Sequence, residues 1–211
     1  MVFQSRLLRG TLIRRYKRFL ADIRLLNGRV VTAHCANTGR MTGCQEPGST
    51  VYVSPAQNPG RRLAYTWELV RVRRTWVGIN TFRPNHLVAE AIESGVLTEL
   101  QGYQQIRREV QVSPGTRLDL CLEQTRHRCY VEVKSVTLAL GGIAAFPDAV
   151  TERGTKHLKE LIRLRRKGER AALVFVVQRE DCAEFRPADE IDMEYGHWLR
   201  KAIKADRKSV V

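Results

Sequence analysis

Three side chains in this sequence have types and spacing that could do chemistry on a phosphate: Asp119, Glu132 and Lys134. They sit in the stretch 117–135, where Arg-Leu-Asp-Leu-Cys-Leu-Glu and Cys-Tyr-Val-Glu-Val-Lys-Ser flank a polar Gln-Thr-Arg-His-Arg segment. Both arms are short, apolar and alternating, so the stretch reads as a β-hairpin. Side chains of successive strand residues point to opposite faces, which puts Glu132 and Lys134 on one face. Asp119 lies on the other arm. Two neighbouring carboxylates are hard oxygen ligands for Mg²⁺ or Mn²⁺, and an adjacent ammonium can orient an attacking water or balance charge growing on a phosphate. The plainer alternative is an exposed cross-strand ion pair. The flanking Leu118, Leu120, Leu122, Val131 and Val133 argue against it, because charges on buried strands need partners or a metal.

The elements that must position these groups follow from the rest of the chain. Thr81–Gly95 (Thr81 to Gly95) changes from β to helical character, with apolar residues at 87, 88, 91 and 92, Asn85 as the expected N-cap and Gly95 as the stop. Glu90 falls at the edge of that apolar stripe, where it could reach the Asp119 site. Residues 104–112 read as a strand before the hairpin, and 139–147, rich in Gly and Ala, as a loop after it. The strongest helix spans 151–167, with apolar positions 158, 161, 162 and 164, and it carries Arg153, Lys156 and His157. Residues 171–178 form a continuous apolar run, expected as a central strand covered on both faces. A last helix is expected over 194–205, followed by a basic tail that frays. Helix, strand, hairpin, basic helix, strand, helix is the order of a restriction-endonuclease-like α/β core with a mixed sheet.

Residues 1–80 read differently. Candidate strands at 9–16, 19–26, 29–35, 50–54, 63–73 and 75–79 are separated by turns, among them Asn27-Gly28, a strong hairpin signal. Five or six short strands suggest an OB-like barrel. The expected division is thus an OB-like basic barrel over 1–80 and a nuclease-like α/β domain over 81–211. Charge separates the two as well. Of a formal +14, residues 1–80 hold 14 Lys+Arg against 3 Asp+Glu, whereas 81–211 hold 22 against 19. A basic barrel with interleaved aromatics (Tyr16, Phe19, Tyr52, Tyr65, Trp67, Trp76) suits a polyanion, with nucleic acid the commonest. The expected contacts are Arg14, Arg15, Lys17, Arg18, Arg40, Arg61 and Arg62 in the barrel and Arg153, Lys156 and His157 on the basic helix. DNA, single- or double-stranded, is the expected partner, with RNA as the alternative that such barrels also accept. No helix-turn-helix pattern is visible, so phosphate contact should dominate over base readout. No apolar run reaches membrane-spanning length and no signal peptide is seen, so the expected location is the cytoplasm, at the nucleoid. The five cysteines lack a CxxC pair and are expected as reduced thiols. A homodimer is compatible with the sequence and not specified by it.

Several whole stretches resemble the sugar fermentation stimulation protein family (SfsA): His34-Cys35-Ala36-Asn37-Thr38-Gly39-Arg40-Met41, Arg62 to Glu68, Gly78 to Thr81, Arg117-Leu118-Asp119, Val131 to Thr137, Phe146 to Thr151, and Arg153-Gly154-x-Lys156-His157-Leu158. The resemblance implies an OB-like domain joined to a PD-(D/E)xK nuclease-like domain, in a DNA-binding regulator of sugar (maltose) metabolism. By position, Asp119, Glu132 and Lys134 match the superfamily motif and Glu90 its extra acidic residue, with Leu118 standing where proline is common. Two expectations result. One is a Mg²⁺- or Mn²⁺-dependent deoxyribonuclease held on DNA by the barrel; the other is a non-catalytic DNA-binding regulator that keeps the nuclease fold as scaffold.

Overall fold

The computed structural model describes residues 2–205 except 4, 57, 59 and 126; the expected basic tail lies outside them. The chain divides into two compact units. The first comprises Met1–Phe82, Val136–Asp148 and Val177–Arg186, and the second Arg83–Ser135, Ala149–Val176 and Pro187–Val211. The first unit therefore recruits two later segments, a feature absent from the simple division at residue 80.

The first unit is built on β1 (Leu8–Tyr16), β2 (Leu20–Leu25), β3 (Val30–Cys35), β4 (Thr50–Pro55), β5 (Tyr65–Val72) and β6 (Thr75–Gly78). Their order is β3-β2-β1-β4-β5-β6, and a parallel β3–β5 pairing closes the first five into a barrel. Closure leaves these five strands without an open edge. Leu12, Ile23, Val51, Val53, Trp67, Val70 and Val77 fill the interior. Gly10 stands where β1 crosses β2 so closely that a Cβ would lie 2.6 Å from Ile23 Cγ2 and 2.8 Å from the Arg24 carbonyl. Only glycine fits there.

The second unit begins with α1 (Arg83–Glu93), followed by β7 (Gln105–Ser113), β8 (Thr116–Gln124) and β9 (His127–Val136). The chain then makes a hairpin, β10 (Leu138–Leu140) and β11 (Ile143–Phe146), where a loop was expected. Next come α2 (Glu152–Arg166), β12 (Arg170–Val177), β13 (Glu184–Pro187) and α3 (Met193–Ala205). β10, β11 and all but the last residue of β13 lie in the two later segments of the first unit, and the three strands make a small separate sheet. The mixed sheet of the second unit runs β12-β9-β8-β7. β12 thus ends the sheet and is not central; its apolar run is explained by packing on both faces. Ala172, Val174 and Val176 join the cluster under α1, and Ala171 and Leu173 the cluster under α2. α1 covers one face through Val88, Ala89 and Ile92 against Leu120, Leu122 and Val131. α2 covers the other through Leu161 and Leu164 against Leu118, Cys121 and Tyr130, and α3 packs on α2. Full burial of each such leucine contributes about 1.5–3 kcal/mol.

Strict alternation would send Leu118 and Leu120 to the same face, yet they join opposite clusters. The strand changes sides at Asp119. On β7 the change falls at Glu109, which stands opposite Asp119 between the pairs Arg108↔Leu120 and Val110↔Leu118 and takes a left-handed φ of 53°. The β7–β8 pairing is interrupted where the carboxylate sits.

Candidate active site

Asp119 lies just beyond the end of the β8–β9 ladder, which runs from Gln124↔His127 to Leu120↔Val131. In place of a backbone pairing, the Val133 N–H donates to Asp119 Oδ2 at 2.7 Å. Asn85 Nδ2 donates to Oδ1, also at 2.7 Å. Both oxygens are therefore aimed before any ligand arrives. The half-buried carboxyl is pushed above its ordinary value by burial first and by the nearby Glu132 second.

Glu132 is 3% exposed. Its Oε1 accepts from Lys134 Nζ at 2.5 Å and from His157 Nδ1. Oε2 is buried and has no hydrogen-bond partner among the described residues. Burial alone would raise this carboxyl; the hydrogen bond from His157 and the charge of Lys134 outweigh it and hold the group below its ordinary value. The expected sharing of one face by Glu132 and Lys134 is observed. Beside His157 opens a cleft of about 610 Å³, lined among others by Arg117, Arg153, Lys156, Glu109 and Glu152.

The structure thus brings Asp119, Glu132 and Lys134 together and adds two residues with other expected roles. Asn85 is not the N-cap of α1; the helix starts at Arg83, and Asn85 in its first turn is the α1 side chain that reaches Asp119. Glu90 is exposed further along the same helix. Among the described residues, no three His, Cys, Asp or Glu side chains are arranged to hold a metal ion, so Glu90 is not gathered with the other two carboxylates. His157, expected to touch phosphate, is 5% exposed and anchors Glu132. The signal was present: His157 falls in the stripe 154, 157, 158, 161, 164 that α2 buries.

A divalent cation fits this donor set. Mg²⁺ characteristically binds through one or two carboxylates and completes its shell with water and substrate phosphate. An unpartnered buried carboxylate oxygen keeps its lone pairs for a ligand of this kind.

The barrel cations separate into two kinds. Arg15 donates to the carbonyls of Asn37 and Gly39 and to Gln45 Oε1, so its guanidinium holds the 37–45 loop. Arg14 pairs with Asp22 at 2.8 Å and stacks over Tyr16. Lys17 and Arg18 are exposed in a left-handed turn, φ 48° and 64°, and Arg40, Arg61 and Arg62 are exposed as well.

An OB-like barrel followed by a mixed-sheet α/β unit with a carboxylate–lysine cluster defines the class of protein. Residues 13–79 match the SfsA N-terminal OB domain and residues 82–210 the sugar fermentation stimulation protein RE domain. The chain belongs to the sugar fermentation stimulation protein family. It is 57% identical over 205 residues to the homolog of Geobacter sulfurreducens, covering 97% of this chain and 88% of that one. To the homolog of Thioalkalivibrio sulfidiphilus it is 55% identical over 207 residues, covering 97% and 87%. The fold also matches the structure of Pyrococcus furiosus SfsA in complex with Ca²⁺, with a TM-score of 0.89 and 31% identity over 97% of this chain and 87% of that chain.

Proposed function

We propose that this protein binds nucleic acid, DNA foremost, and hydrolyses phosphodiester bonds at the Asp119/Glu132/Lys134 cluster with the help of Mg²⁺ or Mn²⁺. The observation that carries the reading is the buried, unpartnered Oε2 of Glu132 beside an oriented Asp119. The Ca²⁺ complex of the Pyrococcus furiosus relative supports a divalent cation.

When bound, such a cation polarises a phosphate and lowers the pKa of water. The chain's own residues do the rest. Asn85 and the Val133 N–H hold Asp119 in one orientation, and His157 fixes Glu132 through Oε1, keeping Oε2 for the ligand. Lys134, 11% exposed, carries the ammonium that donates to a phosphate oxygen as charge grows there. Arg153 and Lys156 flank the cleft next to His157 and attract the neighbouring phosphates.

The test is incubation of the purified protein with Mg²⁺ or Mn²⁺ and single-stranded, duplex or branched DNA, and RNA. Cleavage is expected, and Lys134→Ala and Asp119→Asn should abolish it while binding in EDTA persists. Binding with no cleavage of any substrate would instead identify a DNA-binding regulator that uses the nuclease fold as scaffold.

A further inference from the structure

We infer that the outer face of β4, β5 and β6 is a base-stacking platform for single-stranded nucleic acid, an inference that rests on the reading of nucleic acid as the barrel's partner. On these strands Val51, Val53, Val70 and Val77 point into the barrel and are fully buried. The residues between them point outward, and two are large aromatics: Tyr52 on β4 and Trp76 on β6, both partly exposed. Their rings meet over β5 with centroids 5.0 Å apart at 48°.

Cations frame the pair. Arg71 is paired in register with Trp76 and sets its guanidinium 6.0 Å over the indole. Arg9 is paired in register with Tyr52. Arg73 and Arg74 are exposed in the turn that joins β5 to β6. Among the outward positions 9, 11, 50, 52, 69, 71 and 76 none is a carboxylate; Glu68, next to Leu69 on β5, is buried and bonded to Ser54 and Asn80. Partly exposed aromatic rings bordered by guanidinium groups complement a polymer of flat rings strung on phosphates. A duplex has its base faces already stacked, so only a single strand can offer them.

The test is binding measured in EDTA, where hydrolysis at the carboxylate cluster does not enter. Labelled thymidine, uridine and abasic oligomers of about 15 nucleotides, within the range such barrels occupy, are compared with a duplex. The wild type is expected to bind the thymidine or uridine oligomer about tenfold tighter than the abasic one, and the two base-bearing arms tell DNA from RNA. Trp76→Leu should remove that preference, Trp76→Phe should keep it, and Tyr52→Ser gives a second route should Trp76→Leu fail to fold. The wild type's tryptophan emission should be quenched by the thymidine oligomer more than that of Trp76→Phe. Arg73→Ser with Arg74→Ser should weaken all oligomers alike and flatten the slope of log K against log salt by about 1.4. An abasic oligomer bound as tightly as thymidine, or a Trp76→Leu chain that keeps the preference, would overturn the platform. Binding of duplex and abasic strands alone would leave the nucleic-acid reading standing without it; no binding to any of them would remove both.

Discussion

His157 on α2 and Glu132 on β9 share a buried hydrogen bond, Nδ1 to Oε1, with side chains 6% and 3% exposed. It joins the helix that carries the cleft's cations to the strand that carries the carboxylate. Breaking it strands a buried charge on Lys134 alone. His157→Ala should therefore cost about 2–3 kcal/mol of stability, read by denaturant unfolding. Combined with Glu132→Gln it should cost less than the two single changes added together. Additive losses would show that the two residues do not act as a unit.

Asn85 tests whether orientation of Asp119 matters. Asn85→Ala removes one of the two hydrogen bonds that aim the carboxylate. Affinity for Ca²⁺ or Mn²⁺ should fall about tenfold, the usual size of a lost orienting contact, as measured by calorimetry. An unchanged affinity would assign Asn85 to packing alone.

Asp22 supplies a pH dependence within the barrel. Burial acts to raise its carboxyl, but hydrogen bonds from Arg14, Thr32 and Tyr16 outweigh it and leave the group below its ordinary 3.8. A depressed folded value stabilises above the ordinary value and loses that contribution as pH falls through the folded one. Asp22→Asn should thus be less stable at neutral pH, by no more than about 1 kcal/mol for so exposed a pair, with the gap closing below pH 3.8. Melts at several pH values check it.

The cysteines should report burial. Cys35, Cys44, Cys121 and Cys129 are buried, reduced thiols and Cys182 is partly exposed. Burial pushes Cys44 and Cys121 up to about 11, so neither forms thiolate near neutrality. In the native protein one thiol should react quickly with a disulfide reagent at mildly alkaline pH, and Cys182→Ser should remove that phase. The other four should react only after unfolding.

Arg15 and the Lys17-Arg18 turn should behave oppositely. Arg15→Ala should lower the melting temperature, because the 37–45 loop loses its hydrogen bonds. Lys17→Ala with Arg18→Ala should leave melting nearly unchanged and reduce the salt dependence of nucleic-acid binding. A melting change in the turn variant equal to that of Arg15→Ala would undo the distinction.

Much of this was legible from local pattern. The two short apolar arms identify the hairpin, alternation around Glu132 gives the face it shares with Lys134, and the turn at Asn27-Gly28 helps mark the barrel strands. Other features escaped for physical reasons. The 138–146 stretch reads as loop because its Gly141-Gly142 signal marks a turn without showing that the short flanks would pair. Asn85 reads as a cap because its residue type suits one; that α1 starts two residues earlier depends on packing.

The order of residues by itself determined the strand and helix periods, the excess of positive charge in the first part, and the carboxylate–lysine spacing, since these arise from near neighbours along the backbone. Only the tertiary structure decided that β3 pairs with β5 to close the barrel, that β12 ends its sheet, and that the partner of His157 is Glu132. Those outcomes join residues far apart in the chain, and such joins depend on which faces can be buried together, a quantity no local spacing contains.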